Sequence, residues 1–193
     1  MFNPNYSISP TLLATIKRIA LLVHELNKPV IPEVVLVEQL NEARSVSTYA
    51  STSIEGNPLP LTDVKRLLKS HPVQLRHSER EVVNYNRALT WLSEQKEAPL
   101  DVAFLLRIHA AVMDELLPPY QTGRFRQEPV VIREPRTGDT LFLPPDHGDV
   151  ARLVGELLAF VRANTDLDPL LLAGLFHKQL VIIHPFMDGN GRT

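Results

Sequence analysis

An apolar run from Leu170 to Ile183 breaks off at His184-Pro185 and passes straight into Phe186-Met187-Asp188-Gly189-Asn190-Gly191-Arg192-Thr193. This junction constrains the chain more than any other stretch. Residues 170–183 are apolar nearly all round, the pattern of a helix surrounded by other elements. Pro185 disfavours the α region for the residue before it, so the helix has to release the chain at His184. The fold must therefore present an imidazole at the exit of a central buried helix, with a glycine loop directly behind it.

That loop is dense in chemistry. His184 is its one side chain able to accept a proton near neutral pH, the unperturbed value being about 6.5. Asp188 offers a carboxylate of the kind that holds Mg²⁺ through one side chain, leaving the other positions to water and phosphate oxygens. Gly189-Asn190-Gly191 can take up positive φ cheaply, so that successive N–H groups point into one concavity and bind an oxyanion. Arg192 adds a permanent charge with bidentate geometry. A base, a magnesium-type carboxylate and an anion hole together describe transfer of a phosphorus group to a hydroxyl, in which positioning and charge stabilisation supply most of the catalysis. No Walker-type glycine loop with lysine occurs, so the loop itself must handle the phosphates.

Upstream, helical spacing dominates. Ser9-Pro10 caps a first helix reaching about Asn27, and a second periodic stretch begins near Val34 and runs towards Ile54, where Gly56-Asn57-Pro58 stops it. Thr62-Asp63 caps a third helix to about Lys69, and Ser78 with Glu81 reads as the capping box of a fourth. A fifth spans about Asp101 to Leu117, with His109 at the margin of its apolar stripe, and a sixth follows Pro144-Pro145. Two short β-rich runs about the Gly138-Asp139 turn, between about Pro129 and Leu143, read as a hairpin. The expected fold is mainly α, a helical bundle around the central helix with one β-hairpin.

Composition narrows the function classes. With 193 residues the chain can bury a sizeable core, and residues 1–98 and 99–193 separate as a helical region and a core unit. A net charge of −2 with interspersed signs leaves no footprint for nucleic acid. No cysteine is present, which removes disulfides and thiolate metal sites. The start of the chain lacks a basic-then-apolar leader, and the apolar runs are too short to span a bilayer. A cytoplasmic protein without a membrane partner is expected.

The stretch from His184 to Arg192 resembles the signature of the Fic family, H-x-F-x-(D/E)-G-N-G-R-x-x-R, at every position that the chain contains. The second arginine would fall two positions past Thr193, so the core unit is expected to stop within its signature. The resemblance implies transfer of AMP from ATP to a serine, threonine or tyrosine hydroxyl of a protein, with Mg²⁺. In that scheme His184 is the base, Asp188 holds the metal, Gly189, Asn190 and Gly191 cradle phosphate oxygens, and Arg192 holds the nucleotide. Gly123 to Arg126 matches the family's G-x-(F/Y)-R stretch, and the hairpin would be the flap on which the target protein docks as an added strand. A homodimer is compatible with the resemblance. His177 also matches a family position, and on so apolar a helix it reads as a hydrogen-bonded core histidine.

Ser51-Thr52-Ser53-Ile54-Glu55-Gly56 fits the family's inhibitory pattern (S/T)-x-x-x-E-(G/N) and resembles the class whose inhibitory helix is N-terminal. Glu55 falls at a helix C-terminus, where the dipole disfavours an anion, and Gly56 is the usual glycine just past the helix. The resemblance pairs this glutamate with the second signature arginine, and Arg192 is at most a partial substitute. Two other readings stay open: a related phosphotransfer or AMP removal, and a protein-interaction module without catalysis.

Overall fold

The computed structural model describes residues 2–70, 72–95, 97–134 and 136–193. Among the described residues seven α-helices and one short hairpin follow in the order α1 (Pro10–Leu26), α2 (Glu33–Ile54), α3 (Leu61–Ser70), α4 (His77–Glu94), α5 (Val102–Val112), β1 (Ile132–Arg133), β2 (Thr140–Phe142), a 3₁₀ turn at His147–Asp149, α6 (Val150–Ala163) and α7 (Pro169–Ile183). The mainly helical class with a single hairpin is the one the hydrophobic spacing implies.

Local chemistry accounts for most boundaries. The Ser9 hydroxyl accepts from Leu12 N–H ahead of Pro10, and Asp168 accepts from Leu170 N–H ahead of Pro169, placing proline where a helix needs no donor. Three boundaries differ from the sequence reading. α3 begins at Leu61, so Thr62 and Asp63 lie in its first turn rather than capping it. α4 begins at His77, and Arg76 N–H donates to Glu79 at 2.8 Å, so Glu79 is the capping glutamate and Glu81 is released for another use. α5 stops at Val112 instead of Leu117, because the buried Asn84 amide donates to the carbonyls of Val112 and Asp114 and the backbone turns over at Glu115, φ 54°.

Three apolar clusters hold the helices. Val64, Leu67 and Val82 join α3 to α4, and Ala88, Ile108, Val112 and Met113 join α4 to α5. The largest combines Leu105 with Val150, Val154, Leu157 and Leu158 of α6, Leu180 and Ile183 of α7, and Phe186 beyond it. On α7 burial is concentrated at this C-terminal end, with Leu180 and Ile183 inside and Leu170 exposed. The helix is thus anchored where it delivers the chain to the loop. α1 buries none of its own residues.

The hairpin is shorter than its composition suggests. Ile132 pairs with Phe142 and Arg133 with Thr140, with an irregularity between the two pairs, and Leu141, Phe142 and Leu143 point their apolar surface to solvent.

Candidate active site

His184 sits immediately after α7 with φ 51° and ψ 62°, a left-handed conformation that costs an L-residue about 1–2 kcal/mol. Pro185 blocks the α conformation at this point, and two sets of bonds hold the alternative. His184 N–H still closes the last helical turn onto the Leu180 carbonyl at 2.9 Å. Arg126 fixes the other side: its backbone N–H donates to the Pro185 carbonyl at 2.9 Å and its Nε to the His184 carbonyl at 2.8 Å. Its remaining nitrogens donate to the carbonyls of Glu128 and Pro145, and the whole residue is 1% exposed. A buried guanidinium thus ties the hairpin's approach to the strained histidine.

Burial pushes the His184 imidazole below the ordinary histidine value, with Arg126 adding to the effect and the Val181 carbonyl and Asp188 opposing it. Nδ1 is buried and completes no hydrogen bond among the described residues. The ring is therefore neutral at neutral pH, the form in which it can take a proton.

Phe186 is fully buried, as an anchor for the loop should be, and it stacks on the ring of His109 at 3.9 Å and 10°. His109 is not at the margin of an apolar stripe but completely inside. Gly123 N–H donates to its Nδ1 at 2.9 Å, so the proton resides on Nε2, which donates to the Asp188 carbonyl at 3.1 Å. Desolvation lowers its pKa and preserves this neutral tautomer. The one polar residue in α5's apolar face thus pins the loop.

Within the loop, Asn190 folds its side chain back onto Phe186, accepting from the N–H and donating to the carbonyl, both at 2.9 Å. Its side chain is committed to shape, so only its backbone is left for a ligand. Of the two glycines, Gly189 alone has positive φ, at 76°, and a Cβ there would lie 2.5 Å from Met113 Sδ. Gly191 faces a different neighbour: a Cβ there would overlap Glu55 Oε1 and lie 2.7 Å from Glu55 Cδ, the movable end of that side chain. Among the described residues the N–H groups of Asn190, Gly191 and Arg192 donate to nothing, which leaves the concavity that an oxyanion needs.

Asp188 is half-exposed, and its Oδ1 accepts from Gly189 N–H at 2.6 Å and from Arg192 at 3.0 Å. Oδ2 carries no hydrogen bond among the described residues, and no group of three or more His, Asp or Glu capable of holding a metal occurs among them. A single carboxylate with one free oxygen suits Mg²⁺, which takes few protein ligands and completes its shell with water and phosphate. Arg192 is turned inward, 7% exposed, and its second contact is Glu81 Oε1 at 2.8 Å.

Ser51 and Glu55 reach this loop from α2. Glu55 terminates that helix, Gly56 follows with φ 91°, Gly56 N–H bonds to the Ser53 carbonyl and Asn57 N–H to the Thr52 carbonyl. This is the Schellman arrangement, and it aims Glu55 at Gly191. Ser51 accepts a hydrogen bond from Tyr85 of α4 at 2.8 Å. A cavity of about 440 Å³ lies between the two segments, lined by Ser51, Glu55, His177, His184, Asp188 and Gly191 among others. His177 is accordingly an exposed residue of this cavity, not a core histidine; it lies two turns before His184 on the same face of α7, a spacing visible in the sequence. Arg126, His109 and Glu81 carry the site without lining it. Of the three, only Arg126 had a local signal, the Gly123–Arg126 stretch.

Comparison with known proteins agrees with this geometry. Residues 99–193 match the family model described as Fic/DOC family. The "Protein adenylyltransferase Fic" of Drosophila sechellia is 29% identical over 159 residues, which is 79% of this chain and 31% of that protein, so the chain spans about a third of such relatives. A Fic family protein from Desulfovibrio desulfuricans superposes with a TM-score of 0.81 at 26% identity, covering 99% of this chain and 57% of that one. A Fic domain containing signaling protein from Bacteroides thetaiotaomicron shares the fold, with a TM-score of 0.78 at 24% identity over 92% of this chain and 68% of that one. The chain belongs to the Fic/DOC family, whose domain it carries over residues 99–193.

Proposed function

We propose that the protein is a protein adenylyltransferase that moves AMP from ATP to a serine, threonine or tyrosine hydroxyl of a target protein, and that Glu55 holds it in check. The observation that carries the reading is the placement of the Glu55 carboxylate on Gly191, within the cavity that also holds His184 and Asp188. An acid side chain in a site built for phosphate excludes phosphate by occupancy and by like charge.

In this reading the residues act as follows. The target hydroxyl oxygen bonds to the α-phosphorus, the bond from that phosphorus to the bridging oxygen breaks, and pyrophosphate leaves. His184 accepts the hydroxyl proton, and its depressed pKa keeps it unprotonated beforehand. The free amides of residues 190–192 orient phosphate oxygens, with Asn190 and His109 keeping the loop in shape. Asp188 would hold Mg²⁺, which supplies charge neutralisation on the phosphates when bound. The exposed hairpin supports docking of an extended target segment beside it as an added strand.

Labelled ATP decides the matter. With the label on the α-phosphate, the Glu55→Gly protein should transfer label to a protein acceptor and the additional change His184→Ala should abolish transfer, general-base catalysis being worth ~10²–10⁴ in rate. Absence of transfer by the Glu55→Gly protein overturns the proposal, and transfer of the γ-phosphate or release of AMP from a modified acceptor replaces it with a related reaction.

A further inference from the structure

Glu55 makes no ion pair among the described residues, so its position must be imposed by something else. The turn that carries it is bonded elsewhere. Asn57, two residues on and held by the Schellman bond to Thr52, donates its side-chain amide to Glu81 Oε2 at 2.7 Å and to the Ser78 carbonyl at 2.8 Å. The other oxygen of the same carboxylate, Glu81 Oε1, accepts from Arg192 at 2.8 Å, with His77 at 3.8 Å on its solvent side. Arg192 directly follows Gly191, the residue against which Glu55 lies. A closed circuit results, running Glu55, Gly56, Asn57, Glu81, Arg192, Gly191 and back to Glu55.

From this circuit we infer that Glu81 is the positioning residue of the brake: one carboxylate on α4 sets the Glu55 turn and the phosphate loop in a common register. The inference rests on the reading of Glu55 as inhibitory. Two physical points support it. The Arg192 and Glu81 side chains are 5% and 17% exposed, so their hydrogen bond is charge-assisted and poorly screened. The Asn57 bond is the short connection from that pair to the turn, and α4 itself is fixed to α2 through Tyr85 and Ser51. Glu81 touches neither the cavity nor the reacting groups, and its effect on nucleotide must pass through the residues on either side.

The test is the affinity for ATP in the presence of Mg²⁺, measured by calorimetry in four proteins: unmodified, Glu55→Gly, Glu81→Gln, and both changes together. Glutamine has the shape of glutamate but one acceptor oxygen for two facing donors, so one arm of the circuit must open. Glu81→Gln should tighten ATP by about tenfold while Glu55 is present, roughly the hold of one charged hydrogen bond, and should change the Glu55→Gly protein's affinity several-fold less, by whatever passes through Arg192 alone. Asn57→Ala, which opens the circuit from the turn side, should reproduce this pattern and serves if the Glu81 variant melts below assay temperature. Equal changes in both backgrounds, weaker binding, or no change would mark Glu81 as structural only and overturn the inference. If Glu55→Gly itself fails to tighten ATP, the inhibitory reading falls, and this one with it.

Discussion

The Glu55 carboxylate lies on Gly191, in the space that the Cβ of any other residue would need, while Gly189 two residues earlier is enclosed instead by the Met113 side chain. The two signature glycines therefore serve different ends. Gly191→Ala meets only the movable end of a glutamate and should change stability by less than about 1 kcal/mol. Gly189→Ala meets Met113 Sδ and Cγ at 2.5 and 2.8 Å in a left-handed backbone, and should cost about 2 kcal/mol or more. Urea unfolding of both variants checks the contrast.

Protonation of His184 is suppressed by burial, so the acid limb of the transfer rate in the Glu55→Gly protein should lie below pH 6.5, the ordinary histidine value. A limb at or above about pH 7 would contradict a neutral buried base. The sign for stability follows from the same shift. His184 and His109 both bind protons more readily when unfolded, so their contribution is complete above the unfolded value near 6.5 and is lost as pH falls below it. Unfolding measured between pH 7.5 and 5 should show stability falling towards acid, and less steeply after His109→Asn.

Removing the His109 ring strands two buried backbone groups, Gly123 N–H and the Asp188 carbonyl, and deletes the stack on Phe186. His109→Leu should destabilise the protein by about 2–4 kcal/mol, each stranded group costing ~1–3 kcal/mol. Hydrogen exchange should quicken at Gly123, the amide that loses its acceptor.

Arg126 spreads its bonds over carbonyls on both sides of the site, and a lysine ammonium cannot reach them together. Arg126→Lys should therefore cost about 3 kcal/mol, in the range of lost charged hydrogen bonds. Because this arginine holds the left-handed His184, transfer by the Glu55→Gly protein should fall as well, even at temperatures where the variant is folded. Circular dichroism alongside the label assay separates the two effects.

Much of this was legible in the chain. Ser9-Pro10 and Asp168-Pro169 mark helix starts, and Gly56 and His184-Pro185 mark helix ends, because caps and proline act over a few bonds. The glutamate reading failed at α4, where Ser78 and Glu81 have the spacing of a capping box. Spacing alone cannot tell which of Glu79 and Glu81 turns back to the helix start and which faces a distant arginine.

The sequence by itself determined the helical class, the hairpin and the local chemistry of residues 184–192, since these follow from periodicity, backbone restriction and side-chain type. Only the tertiary structure decided that Glu55 meets Gly191, that Glu81 takes Arg192, and that His109 and Arg126 clamp the loop from inside. Arg192 and Glu81 are 111 positions apart, and Arg126 and His184 are 58. Such contacts exist because helices packing around a common apolar core bring particular polar atoms within reach, and burial then obliges those atoms to bond.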